Sequence, residues 1–322
     1  MTFDESLPSY RTTTTRIVAW CASHIETLER LIYWKIMVRS WFRQTCSCRL
    51  MISMSCEPHI RDDVTAAIAE AREEYNDLTV YFQSDRLTQF QHYSRLADTV
   101  TEDDEAADDT WILFTDDDDV WSPHRVSLYD DALQTSLTNG TAVDFIAAGW
   151  YAMQSTLDTQ AVSPEEAQNM IGKQQAHSIN AEPKDVTYLY AMWMVPRKKI
   201  AEWTRTAADS IIKNDLADLF WMKHVASTAT RIGLTSRPTS WLYYYRSWSA
   251  DQQTRGHGII TPDDEKDIRT CCAKMIAWYF TQHDRYSRQR FKQFCRSQKV
   301  RDGHIKAMQR VIDDQLLQRF QS

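Results

Sequence analysis

The apolar run Trp111-Ile112-Leu113-Phe114 is followed, after Thr115, by four consecutive aspartates, Asp116 to Asp119, and then by Val120-Trp121-Ser122-Pro123. A short β-branched and aromatic run ending in a burst of carboxylates reads as a buried strand that delivers its acids to one edge of a sheet. In open α/β sheets that edge, outside the carboxyl ends of the strands, is where ligands bind. Two carboxylates about 4 Å apart repel by roughly 1 kcal/mol in water and about 4 kcal/mol near a protein surface. Four acids in a row therefore call for a cation. Mg2+ or Mn2+ suits them, because such ions are held by one or two carboxylates together with substrate phosphate oxygens.

The chain upstream supplies a sheet for that strand. Residues 16–22 read as a first strand, and a helical pattern follows through Leu28, Leu31, Ile32, Trp34, Met37 and Val38. Residues 49–55 form a second strand. Asp62 or Asp63 is placed to cap a helix whose apolar face is Val64, Ala67, Ile68 and Ala71. Leu78 to Phe82 is a third strand, and Phe90, Tyr93 and Leu96 mark a helix or loop over 87–100. The acidic stretch 102–109 reads as a polar surface turn. Strands alternating with helices in this way predict an α/β fold with a mostly parallel, doubly wound sheet.

The second half is mixed. Residues 143–148 and 186–195 read as strands, 208–226 as one helix, and short strands are expected near Arg231 and over Trp241 to Arg246. From about Pro262 the pattern is helical and basic.

Composition excludes several classes. Seven glycines, with no Gly-x-Gly-x-x-Gly and no Walker A loop, leave no support for a dinucleotide enzyme or a P-loop kinase. A net charge of −7 argues against a nucleic-acid binder. Seven cysteines without framework or zinc spacing read as reduced thiols in a cytosolic compartment. The polar start MTFDESLPSY predicts no secretory leader, and no window of eighteen apolar residues predicts a membrane span. The basic C-terminal helices leave room for peripheral contact with an anionic membrane or a partner.

The stretch Trp111 to Arg125 resembles the DXD region of nucleotide-sugar glycosyltransferases of the GT-A fold, closest to family 2. Asp116-x-Asp118-Asp119 and Pro123 match that family's acids and the proline after them, and the likeness spans roughly residues 15–255. The resemblance implies a Rossmann-like GT-A domain whose nucleotide-sugar half is 1–125 and whose acceptor half is 126–261, with a helical basic extension over 262–322. It implies Mn2+ or Mg2+ held by Asp118 and Asp116, with Asp117 beside the donor. It also implies a UDP- or GDP-linked sugar as donor and a glycan or glycoconjugate as acceptor.

Further candidates are placed by pattern and by the same likeness. Ile211, Asp215, Asp218, Met222 and Val225 share one stripe of the helix expected over 208–226, so Asp215 or Asp218 is the candidate base of an inverting transfer. His257, between Gly256 and Gly258, matches a late loop histidine that binds metal or phosphate. Arg95 and Arg246 are candidate partners of the nucleotide and its diphosphate. The strand ends carrying Ala22 and Ser55 are expected to line the nucleoside. Two alternatives stand beside this reading: a non-catalytic binding or scaffold protein on the same fold, and a sugar nucleotidyltransferase, which usually opens with a glycine-rich loop not found after the first strand.

Overall fold

The computed structural model describes residues 16–99, 109–148, 150–152, 177–178, 190–214, 217–236, 239–242, 275–276, 278–279, 287–297 and 302–319. The elements run β1 (Ile17–Ile25), α1 (Leu28–Phe42), β2 (Arg49–Cys56), α2 (Arg61–Glu74), β3 (Leu78–Phe82), α3 (Gln89–Asp98) and β4 (Trp111–Asp116). They continue as β5 (Val120–Trp121), α4 (Arg125–Thr138), β6 (Phe145–Ala147), β7 (Trp150–Ala152), β8 (His177–Ser178), β9 (Trp193–Pro196) and α5 (Arg197–Thr206). Last come α6 (Asp209–Ile212), α7 (Ala217–Thr228), β10 (Ile232–Leu234), β11 (Ser240–Leu242), α8 (Arg288–Ser297) and α9 (Asp302–Arg319). The chain divides into two compact units: residues 1–86, 101–197 and 230–245 form one, and residues 87–100, 198–229 and 246–322 the other.

The first unit is built on a seven-stranded sheet of order β10-β6-β9-β4-β1-β2-β3. It is parallel except for β9, which runs antiparallel to both β4 and β6. The mostly parallel α/β sheet expected from the alternation of elements is therefore what forms. All nine residues of β1 are buried, as a strand covered on both faces requires. Thr27 caps α1 by accepting from the Arg30 amide at 3.2 Å, with Glu29 in the first turn and Arg39 in the last, each where the helix dipole favours it. On α2 the buried residues are Val64, Ala67, Ile68 and Ala71, the stripe that the spacing predicts. They join Trp34, Met37, Ile52 and Leu113 in one apolar core. Arg72 of α2 donates to the Val80 carbonyl, which points away from β2, because Asp77 and Gln83 turn their backbone groups towards it.

Local details depart from the sequence reading. Neither Asp62 nor Asp63 caps α2: a short 3-10 turn over Pro58–Ile60 leads into it, and both acids lie in the first turn. Of the strand read over 186–195, residues 190–192 form a 3-10 turn and 193–195 belong to β9, while 186–189 lie outside the described residues. A second sheet, β5-β11-β7-β8, pairs strands too short to show alternation. The single helix read over 208–226 is broken: α6 stops at Ile212, Lys213 and Asn214 form a turn, and α7 starts at Ala217, whose amide bonds to the Asn214 carbonyl at 3.0 Å. Asparagine competes with helical hydrogen bonding through its own side chain, which favours an interruption there. The stripe running from Ile211 to Asp218 is therefore not one continuous helix face, and Asp215 lies outside the described residues.

In the second unit Phe90 and Tyr93 of α3 are buried, and Phe90 meets Trp203 edge-on with ring centroids 4.9 Å apart. No helix among the described residues is long and apolar enough to cross a membrane. The described cysteines Cys21, Cys46, Cys48, Cys56 and Cys295 are buried and unbridged, in keeping with reduced thiols.

One side chain ties β4 to its surroundings. Arg125, wholly buried at the start of α4, donates to the Phe114 carbonyl at 2.7 Å and the Ala191 carbonyl at 2.6 Å, and lies 4.7 Å from the Trp121 ring. Replacing it leaves two buried carbonyls short of a donor and opens a cavity. Arg125→Ala is expected to lower stability by about 3 kcal/mol, read as a fall in the urea midpoint.

Candidate active site

The chain lays β1, β2 and β3 outward in one direction and then places β4 on the other side of β1. The strand order thus reverses between β1 and β4, and a crevice opens beyond their carboxyl ends at such a switch point. Ala22 of β1 stands opposite Asp116 of β4 in the register, so the aspartate turn begins level with the end of β1.

Each acid of the turn meets a different environment. Asp117 is buried; the Ser23 hydroxyl donates to its Oδ2 at 2.7 Å, and Arg30 pairs with its Oδ1. Arg30 also donates to Asp118 Oδ2 at 2.8 Å, so one guanidinium from the first turn of α1 bridges two neighbouring carboxylates. Burial alone would lower the Arg30 pKa, but Asp117 and Asp118 more than reverse that and hold it charged. For Asp118, burial pushes the carboxyl up; Arg30 opposes this, and Asp117 adds to it.

Asp119 differs from both. It is buried, and its Oδ2 accepts no hydrogen bond among the described residues. Burial, followed by the charges of Asp116 and Asp118, pushes its pKa well above the usual carboxylate range, with Arg125 pulling the other way.

The turn itself is fixed from below. Trp121 Nε1 donates to Thr115 Oγ1 at 2.8 Å, and the Trp121 amide donates to Ser40 Oγ of α1 at 3.0 Å. Gln44 donates to the Ser122 carbonyl at 2.7 Å and accepts from the Val126 amide at 3.1 Å. The acids are thus presented by a stiff frame at a sheet edge. Their donors are all oxygen, and one buried oxygen among them has no hydrogen-bond partner among the described residues. That set fits Mg2+ or Mn2+.

The other sequence candidates fall elsewhere. Ser55, at the end of β2, is buried and its hydroxyl lies 2.8 Å from His24 Nδ1. Asp218 is buried in the first turn of α7, and Arg95 lies in the last turn of α3; both belong to the second unit. Asp215, Arg246 and His257 lie outside the described residues. Arg30 was missed by motif spacing, since its partners are 87 and 88 residues away. The signal that could have found it is positional: a capped helix start after the first strand faces the same sheet edge as the end of its neighbour.

No protein-family model matches this chain, and no curated protein matches it. Among solved structures it is similar to TarS 1-349 of S. aureus in complex with UDP, at 10% identity over 84% of this chain and 73% of that one, with a TM-score of 0.49. It is similar as well to the mannosyltransferase PcManGT of Pyrobaculum calidifontis in complex with GDP-Man and Mn2+, at 11% identity over 99% and 77%, with a TM-score of 0.44. A 4-diphosphocytidyl-2C-methyl-D-erythritol synthase follows, at 12% identity over 80% and 98%, with a TM-score of 0.35. Likeness at this level carries no weight for the chemistry below, which rests on the sheet edge and its residues.

The raised pKa of Asp119 fixes a sign. A carboxyl that ionises less readily when folded than when unfolded makes stability fall as pH rises from about 4 through its folded pKa. In metal-free buffer, Asp119→Asn is therefore expected to unfold at higher urea than the parent chain at pH 7. The gain should vanish as pH approaches 4, and a variant less stable at pH 7 would refute the assignment.

Proposed function

We propose that the chain is a metal-dependent glycosyltransferase of GT-A type, moving a sugar from a UDP- or GDP-linked donor to a hydroxyl of a glycan or glycoconjugate, with inversion. The observation that carries this is the placement of the four acids and Arg30 at the switch point between β1 and β4. That is where an open α/β sheet receives a nucleotide, and the fixed charges there suit a diphosphate and its counter-ion.

In the transfer, the bond between the anomeric carbon and the diphosphate oxygen breaks, the acceptor oxygen bonds to that carbon, and the acceptor's proton goes to a base. Asp118 and Asp116 are the ligands this reading assigns to Mn2+ or Mg2+, with the bare Oδ2 of Asp119 beside them. When bound, the ion supplies charge stabilisation to the departing diphosphate. Asp117 works differently: tied to Ser23 and Arg30, it holds the turn in shape. Arg30 lies in the crevice as a cation whose carboxylate partners the ion would share, leaving a guanidinium suited to bind a phosphate in two places. The ends of β1 and β2, with Ala22 and Ser55, are assigned to the nucleoside side. Arg95, Arg246 and His257 stay candidates for the donor, and Asp215 or Asp218 for the base, on their sequence positions.

Two measurements test this. A thermal-shift screen of UDP, GDP and their sugars should show one nucleotide raising the melting temperature, and more so with Mn2+. Donor turnover in Mn2+ should fall at least about ten-fold in Asp118→Asn. Unchanged turnover in that variant removes the metal role, and no response to any nucleotide turns the reading to a scaffold. For the base, whichever of Asp215→Ala and Asp218→Ala abolishes transfer while leaving the nucleotide shift intact identifies it; equal mild losses exclude both.

A further inference from the structure

Consecutive residues of a strand point to opposite faces, so Ser23 and its neighbour His24 serve different sides of β1. Ser23 belongs to the aspartate turn. His24 belongs to a second polar cluster with Glu26, Glu57 and Arg86, which the transfer chemistry does not use. His24 stands opposite Ser55 in the β1–β2 register, and its ring is held by that hydroxyl at 2.8 Å from Nδ1. Its Nε2 lies 3.2 Å from Glu57 Oε1 and 3.8 Å from Glu26 Oε1. One donor atom from each of the three side chains falls within 4.8 Å of the others.

The His24–Glu57 separation already matches that of two ligands on one ion, and Glu26 has only a short way to move to complete the set. Donors bound to one zinc at about 2.0–2.1 Å in a tetrahedron stand roughly 3.3 Å apart. The His24 side chain is wholly buried, whereas Glu26 and Glu57 are partly open to solvent. Arg86, 54% exposed, spans the two carboxylates at 2.6 Å from Glu26 Oε1 and 3.4 Å from Glu57 Oε1. A cation is therefore already needed at this corner, and the one supplied sits at the end of a long side chain with room to leave.

We propose that His24, Glu26 and Glu57 form a divalent transition-metal site, zinc by its donor set, which Arg86 closes in the metal-free chain by standing in for the ion. An imidazole with two carboxylates is a mixed nitrogen and oxygen set that suits zinc and leaves a fourth position for water. With the ring proton on Nδ1 and donated to Ser55 Oγ, Nε2 turns its lone pair into the gap between the glutamates. The hydroxyl can accept that bond as readily as donate one, so no buried partner is lost. A ring held through its second nitrogen is the usual support of a metal-binding histidine. The site stands whether or not the chain transfers sugar.

The test is titration of the full-length chain with Zn2+ by calorimetry and with Co2+ by visible absorption, both in excess Mg2+ to saturate the aspartate turn. One equivalent should bind, and Co2+ should show the d–d bands of a four-coordinate centre without the near-ultraviolet band of a thiolate ligand. Glu57→Gln, isosteric and partly exposed, should weaken Zn2+ binding at least about ten-fold. Arg86→Ala should tighten it several-fold, a change of sign that a plain salt-bridge network does not predict. Equal affinity in Glu57→Gln and the parent, a thiolate band, or no gain in Arg86→Ala overturns the proposal.

Discussion

Mutual repulsion among four adjacent carboxylates is the constraint around which the first unit is organised. Strand β4 brings Asp116 to Asp119 to a sheet edge where water cannot fully screen them, and two of the four, Asp117 and Asp119, are buried. The cost is met from three directions. Arg30 comes from α1, Ser23 from β1, and Arg125 lies beneath the turn with its guanidinium committed to backbone carbonyls. The relief is incomplete, since Asp119 keeps a buried oxygen with no hydrogen-bond partner among the described residues. A site in which one more positive charge is stabilising is a site prepared for a cation.

That organisation was partly legible in the residues alone. Strands β1, β2 and β4 announce themselves because strands buried on both faces read as largely apolar runs, and α2 shows its core side at Val64, Ala67, Ile68 and Ala71 without help from the rest of the chain. The acid cluster was legible for the same reason: charge directly after such a strand has no other place than its edge. What was not legible depends on distance along the chain. Arg30 and Ser23 reach acids roughly ninety residues later, and only the sheet order brings them together. The short strands of the second sheet carry too few residues for a period to show. The helix read through residue 215 looked continuous because its apolar spacing is helical, while the interruption falls at Lys213 and Asn214, where the local preference of asparagine outweighs that spacing.

The two polar clusters of β1 follow one plan. In each, a buried side chain of the strand fixes an acid or is fixed by a hydroxyl, two carboxylates face one another, and an arginine from a neighbouring segment spans them: Arg30 over Asp117 and Asp118, Arg86 over Glu26 and Glu57. Arginine suits this because its planar fork bonds two carboxylates at once and keeps its charge at any ordinary pH. Exposure separates the two, for Arg30 is 23% exposed and Arg86 54%. The first is a built component of its turn, while the second can be withdrawn at small cost.

The hydrogen bond from Arg72 to the Val80 carbonyl bears on what happens beyond the molecule. Among the described strands β3 ends the seven-stranded sheet, and outward carbonyls at such a margin are open invitations to a strand from another chain, the first step of ordered aggregation. By occupying one of those acceptors with a charged side chain of α2, the fold places a guard at the margin. An intruding strand would have to evict a guanidinium and bring its own backbone against a positive charge. A parallel sheet that is slow to assemble gains from such a sentinel during the interval when its margin is already formed and its neighbours are not.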